Sequence, residues 1–196
     1  FSEIHNADIG VSPGLRSSII GFPPATVSNG GMYAADDLFP SGIPVMLIQA
    51  HEDLTAAYAF AQNATSPSVT TLPAEIGGMT LLPGIYKSSS ATYIESGNLT
   101  LDAKGDPNAF WIFQIASDFL TQGGPGGDVI LAGGAKAANI YWQTAGSTIL
   151  GNNTSFKGTI LALGTIRMNA DATIEGRLLS RSGSIVLGNT NTILKP

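Results

Sequence analysis

Two histidines, His5 and His51, are the imidazoles available for metal binding or proton transfer. His51 stands beside Glu52 and Asp53 in a run with helical periodicity, and nothing elsewhere completes a set of metal ligands. A solvated helix face with no metal and no other cofactor is the expectation. Nucleophilic catalysis by Ser/His/Asp would need a serine on a sharp strand-to-helix elbow, and no such motif is visible. Polysaccharide cleavage on a repetitive β scaffold would need paired carboxylates. Asp102, Asp106, Asp118, Asp128, Asp171 and Glu175 are scattered, with no matched pair in neighbouring repeats. Asp102 and Asp106 bracket a Leu101-Asp-Ala-Lys-Gly-Asp-Pro-Asn108 turn, where Asp is favoured for its backbone hydrogen bonds. Gly123-Gly-Pro-Gly-Gly127 lacks the Lys and Ser/Thr that a phosphate loop requires. The expectation is a non-enzyme, and the chemistry left is that of neutral hydroxyls, which recur in rows.

Those rows come from a repeat. Ser147-Thr-Ile-Leu-Gly, Thr165-Ile-Arg-Met-Asn and Ser184-Ile-Val-Leu-Gly begin 18 and 19 residues apart. Ser155-Phe-Lys-Gly-Thr-Ile-Leu-Ala and Thr173-Ile-Glu-Gly-Arg-Leu-Leu-Ser follow at 18, and Thr192-Ile-Leu opens another copy. Each unit reads as three short strands with tight, often glycine-bearing corners, the pattern of a triangular β-solenoid. The two-residue period of a strand sets side-chain direction. With Arg167 outward, Ile166 and Met168 point in, as do Ile185, Leu187, Leu150 and Thr148. Ser147, Thr165 and Ser184 then form one outward row, with Ile149, Arg167 and Val186 beside it. On the next side Phe156, Ile174 and Ile193 point in, and Ser155, Thr173 and Thr192 point out. On the third, Ile160 and Leu178 are inward and Leu161 and Leu179 outward.

Outward leucines need a cover, and residues 44–62 supply it. Leu47, Ala50, Leu54, Ala57, Tyr58 and Ala61 recur at helical spacing, with Gln49, Glu52, Asp53 and Gln62 opposite. Ser41 or Gly42 begins this helix and Asn63 to Pro67 ends it. Further strands are expected over 99–102, 110–115, 128–132 and 139–143, and short ones near 9–12 and 18–22. The Pro/Gly-rich stretch over about 22–43 reads as a cap on one solenoid end, within a single domain spanning 1–196.

Charged residues make up 12% of the chain, about half the usual share, so small neutral polar groups cover the surface. Net charge of −5 without a Lys/Arg cluster argues against nucleic acid and anionic membranes. No apolar run is long enough for membrane insertion. Cysteine is absent, so disulfides and thiolate chemistry are excluded. Asn-x-Ser/Thr sites at Asn63, Asn98, Asn152 and Asn153 are consistent with chance in a chain this rich in hydroxyls. No signal-peptide pattern stands at Phe1, which reads as a mature or trimmed product.

Several ordered blocks carry a resemblance. They are Ile9-Gly-Val-Ser-Pro-Gly14, Gly77-Gly-Met-Thr-Leu-Leu-Pro-Gly-Ile-Tyr86, residues 99–109, Trp111-Ile-Phe-Gln114 and Leu131-Ala-Gly-Gly-Ala135. Asn139-Ile-Tyr-Trp-Gln143, Gly158-Thr-Ile-Leu-Ala162 and Gly176-Arg-Leu-Leu-Ser180 continue the series. Together they resemble the microbial ice-binding (antifreeze) family over nearly the whole chain. The resemblance implies a mainly β fold, a right-handed discontinuous β-solenoid with one long helix alongside, its coils stacked out of sequence order. It also implies secretion by a cold-adapted microbe, a monomer, and adsorption to the surface of an ice crystal with thermal hysteresis, crystal shaping and recrystallisation inhibition. The family carries its site on one flat face, often with a Thr-Ala/Gly-x-Thr/Asn pattern. By that alignment the ice-binding residues here are Thr100, Ile130, Ser147, Ile149, Thr165, Arg167, Ser184 and Val186. Ile149, Arg167, Val186 and Ile130 depart from the expected threonine. The alternative on the same scaffold is an adhesin or carbohydrate-binding module.

Overall fold

A computed structural model describes residues 1–65 and 68–196; Pro67, expected at the end of the helix, lies outside the described residues. The strands are short and all pair in parallel, as coils do when each turn stacks on the one before. Three faces result. Face 1 holds, in spatial order, 178–180, 159–162, 140–144, 111–115, 84–88 and 69–71. Face 2 holds 185–187, 166–168, 148–150, 119–121 and 92–94. Face 3 is built of two sheets: 129–132, 99–102 and 80–81, then 155–157, 173–175, 192–194, 3–5 and 26–28. The two sheets adjoin where the Ser155 N–H donates to Asp128 Oδ1 at 2.7 Å. Each coil visits faces 1, 2 and 3 in turn.

The coils are out of sequence order, as the resemblance implied. Strand Glu3–His5 pairs with Thr192–Leu194 on one side and Thr26–Ser28 on the other. The chain thus begins where it ends. It adds a partial coil through Ile9–Val11 and Met32–Ala34, then returns as a helix. The expected strand near 18–22 is absent: residues 16–18 form a 3-10 turn. Pro23 and Pro24 lack the N–H groups a ladder needs, and Ile20 is exposed. Strands 3–5, 26–28 and 32–34 were not anticipated, because three-residue runs carry too little periodicity to detect. Arg16 ties this segment together, donating to both carboxylate oxygens of Asp37 at 3.1 and 2.6 Å and to Met32 O at 2.7 Å.

Inward side chains stack as their strands do. Tyr86, Phe113 and Trp142 are register partners, and the Phe113 and Trp142 rings lie 3.8 Å apart and 6° from parallel. Phe119 and Phe156 close the cluster from the other faces. Corners stack equally tightly: a Cβ on Gly176 would lie 1.9 Å from the Gly158 carbonyl oxygen. Thr148, Ile166, Met168 and Leu150 are buried as parity requires. Ile185 has the inward register, paired with Ile166, yet is 46% exposed because no strand stacks beyond it on face 2.

The helix runs Ile43–Asn63 with Gly42 as its N-cap in the left-handed region. Its buried stripe is Ile43, Leu47, Tyr58 and Ala61, with Leu54 half-buried; the expected Ala50 and Ala57 are exposed. Leu161 is covered by Tyr58 and Ala61, and Leu179 packs at the same cluster. Polar anchors reinforce this contact. Gln114 Nε2 donates to the carbonyls of Ala61 and Ala64 at 2.8 and 2.7 Å, ending the helix on face 1. Gln143 Nε2 donates to Tyr58 Oη at 2.8 Å, and that hydroxyl donates to Thr144 O at 3.2 Å. The Arg181 guanidinium lies over the Tyr58 ring.

Phe113→Ala removes the middle ring of the stack and should cost about 3–5 kcal/mol; Leu161→Ala, under the helix, about 2–5 kcal/mol. Denaturant midpoints at unchanged m-value measure both. The Ala34 N–H and the Arg16 guanidinium hold the Asp37 carboxyl below its ordinary value of 3.8. Its stabilising contribution is therefore present above about pH 4 and lost as pH falls through the lower folded value. The protection of the Ala34 amide relative to its intrinsic exchange rate should fall in acid below about pH 4, and Asp37→Asn should remove that acid limb.

Candidate functional site

Parallel register places like positions of successive coils directly beside one another, at the ~4.8 Å strand spacing. On face 2 the central outward column is Tyr93, Leu120, Ile149, Arg167 and Val186. One outward position earlier stands the column Asp118, Ser147, Thr165 and Ser184. The Phe119, Thr148 and Ile166 amides fix it, donating to the carbonyls of Ser147, Thr165 and Ser184. Asp118 Oδ1 accepts the Ser147 N–H at 2.7 Å, so this carboxylate shapes the corner leading into the face. Beneath the columns, Thr144 and Thr148 join hydroxyls at 3.3 Å, and both are fully buried. Face 2 is thus two straight columns of mostly aliphatic, aromatic and hydroxyl side chains, with Arg167 its one exposed cation and Asp118, at the end of the flanking column, its one exposed acid.

The eight expected site residues do not share a surface. Ser147, Ile149, Thr165, Arg167, Ser184 and Val186 lie together on face 2. Thr100 and Ile130 lie on face 3, in one column with Thr80. Alternation separates inward from outward residues, but all three strands of a coil alternate alike, so it does not assign a strand to a side. Tyr93 and Leu120 complete the face 2 column, and sequence reasoning missed them. They precede the next column member by 27 and 29 residues, against 18 and 19 for the later coils. Corner insertions around 103–109, 122–128 and 133–139 lengthen those turns and hide the period. Thr92-Tyr93-Ile94 and Phe119-Leu120-Thr121 offered only short runs of β-prone residues; the structure buries the outer two of each and leaves the middle one half-buried.

Face 3 has the second row foreseen from sequence. Ser155, Thr173 and Thr192 align, and the column continues through Glu3 to Thr26. The neighbouring column is Lys157, Glu175, Leu194, His5 and Ser28. Here polar groups pair across coils: Lys157 Nζ lies 3.1 Å from Glu175 Oε2 and His5 Nδ1 2.6 Å from Ser28 Oγ, while His5 Nε2 meets Glu3 of its own strand at 3.2 Å. Asp102 adds an ion pair with Lys104, whose side chain and backbone N–H lower its carboxyl pKa. Face 3 is therefore the charged, wet side and face 2 the charge-poor one. Other acids build turns: Asp128 receives the Ser155 N–H, and Asp106 the Asn108 N–H at 2.8 Å. His51 is half-buried on the helix, and no group of three or more His, Cys, Asp or Glu side chains converges among the described residues. Among those residues no helix is long and apolar enough to cross a membrane.

The family model described as ice-binding-like matches residues 2–193. The chain belongs to the ice-binding-like family. Ice-binding protein 1 of Shewanella frigidimarina is 36% identical over an alignment of 211 residues, covering 99% of this chain and 23% of that relative. An ice-binding protein of Nostoc is 37% identical, covering 94% of this chain and 63% of its own length. The chain thus spans about a quarter and just under two thirds of these curated relatives. Among solved structures, a domain of the Shewanella frigidimarina protein superposes with a TM-score of 0.94 at 32% identity, over 100% of this chain and 88% of that one. An ice-binding protein from an Arctic yeast superposes at 0.86 and 30% identity, over 100% of this chain and 86% of its own. The discontinuous solenoid with its returning helix is the fold of this family.

Proposed function

We propose that this chain adsorbs to ice through face 2. The names of its relatives support ice as the ligand, and the straight, charge-poor double column supports face 2 as the contact surface; that column is the observation on which the reading rests. Ice is a solid made of the solvent itself. A charged group holds its own hydration shell in a geometry unlike a lattice, whereas methyl and hydroxyl groups disturb surface water less. Bridging waters carry contacts nearly as well as direct hydrogen bonds. Columns fixed by hydrogen bonds on every coil lose little conformational entropy on docking, so many weak contacts can sum without a pocket. Face 3, with its ion pairs and imidazole, lacks this character, and face 1 is occupied by the helix. The proposed contact residues are Tyr93, Leu120, Ser147, Ile149, Thr165, Arg167, Ser184 and Val186. The protein acts outside the cell, as a monomer, where it meets ice directly and slows its growth and recrystallisation.

Thermal hysteresis and crystal shaping test this reading. Thr165→Tyr, which raises a bulky ring from the plane of face 2, should abolish both, while Thr173→Tyr on face 3 should leave both intact. The reverse pattern would move the site to face 3, and inactivity of the parent protein would overturn the proposal. Arg167 interrupts the central column with a long hydrated cation, so Arg167→Thr should raise hysteresis; a fall would mean that the guanidinium itself contacts ice.

A further inference from the structure

Face 1 presents a second outward column, Ile85, Ile112, Tyr141, Thr159 and Arg177, whose first two members pack against Tyr58 and Ala61 of the helix. The helix crosses the neighbouring column of Gln114, Gln143, Leu161 and Leu179, so a slot is left open along its flank. Alanines on that side of the helix, Ala56 and Ala57, keep the slot wide, and Phe60 and Phe110 form its lip. Its volume is about 760 Å³, within the range of small-molecule sites. The wall is overwhelmingly apolar, and no acid lines it. Two polar groups stand together at one end. Thr159 Oγ1 is buried and makes no hydrogen bond among the described residues. Arg177, exposed beside it in the column, forms no ion pair among those residues.

An apolar slot with one cation and one unsatisfied hydroxyl at the same end fits a molecule with the opposite polarity. We propose that this groove binds a free aliphatic carboxylate, its chain along Ile112, Tyr141 and Phe60 and its carboxylate at Arg177 and Thr159. Guanidinium and carboxylate match in charge and planar geometry, and a ligand oxygen gives the Thr159 hydroxyl the acceptor it lacks. A net charge of −5 over the whole chain makes this cationic end a local feature and not part of a general anion-attracting surface. One residue on each of five strands at ~4.8 Å spacing gives the slot a length of about 19 Å, enough for a ten-carbon chain. The site is separate from face 2 and its occupancy does not depend on the ice-binding reading.

Isothermal titration calorimetry of the intact protein with decanoate, below its micellar range, tests the proposal. Decanoate should bind saturably at one site per chain. Decanol should bind at least fivefold more weakly. Arg177→Gln should weaken decanoate at least fivefold and leave decanol unchanged, and Thr159→Val should weaken decanoate alone. Arg177 is exposed and Thr159→Val nearly isosteric, so unfolding midpoints confirm that both variants fold. Absence of saturable decanoate binding, equal affinity for decanol, or indifference to Arg177→Gln would overturn the proposal. So would binding to anionic phosphatidylglycerol vesicles without binding to free decanoate, which would make the groove a membrane contact.

Discussion

Everything in this molecule follows from parallel strands stacked in register, which place each residue against its counterpart one coil away. The constraint acts on the inside first. Tyr86, Phe113 and Trp142 succeed one another because their strands do, and each stacked aromatic pair adds about 0.5–1.5 kcal/mol beyond burial. It acts at the corners, where Gly176 is pressed against the Gly158 carbonyl. On the outside it turns single residues into straight columns. A column is a sequence repeat made spatial, and its chemistry is that of the repeated side chain.

A parallel sheet rarely stays bare on its outer side, and here the three faces meet that problem differently. Face 1 keeps leucines and isoleucines outward and takes the helix. Face 3 accepts water through Lys157, Glu175, Glu3 and His5; Lys157 pairs with Glu175 across coils, and His5 contacts Glu3 within its own strand. Face 2 does neither. Its outward column is aliphatic or aromatic at four of five positions and its flank is hydroxyl-rich. This surface is neither covered nor rich in charge, Asp118 and Arg167 being its ionised side chains, and that composition is what the proposed contact with ordered water rests on.

Much of this was legible in the sequence, and the lost part was lost for physical reasons. The period of 18 and 19 residues in the last coils gave strand boundaries, inward and outward sides, and the outward leucines that demanded a helix. Thr100 and Ile130 went to the wrong side because alternation is the same on every face. Tyr93 and Leu120 were invisible because inserted corners broke the period. Ala50 and Ala57 fit the helical stripe by spacing alone. The stripe itself is set by which flank Gln114 and Gln143 anchor, a tertiary contact that no local pattern encodes. Strand 3–5 was missed for the same reason, its partner lying at the far end of the chain, and 26–28 and 32–34 because three residues carry too little periodicity.

That last pairing changes how the protein must be made. Ordinary solenoids couple only nearest neighbours, so they grow from any nucleus and fray from either end. Here the Asn191 N–H donates to Ser2 Oγ across 189 residues, and strand 3–5 sits between the final coil and strand 26–28. A ribosome releases the first strand long before its partner exists, and the nascent coils 84–175 must wait with their end unsealed. Such long-range closure raises contact order and slows folding. In return the ladder becomes a single cooperative unit, fastened at its most vulnerable end by a strand that precedes every coil in the sequence.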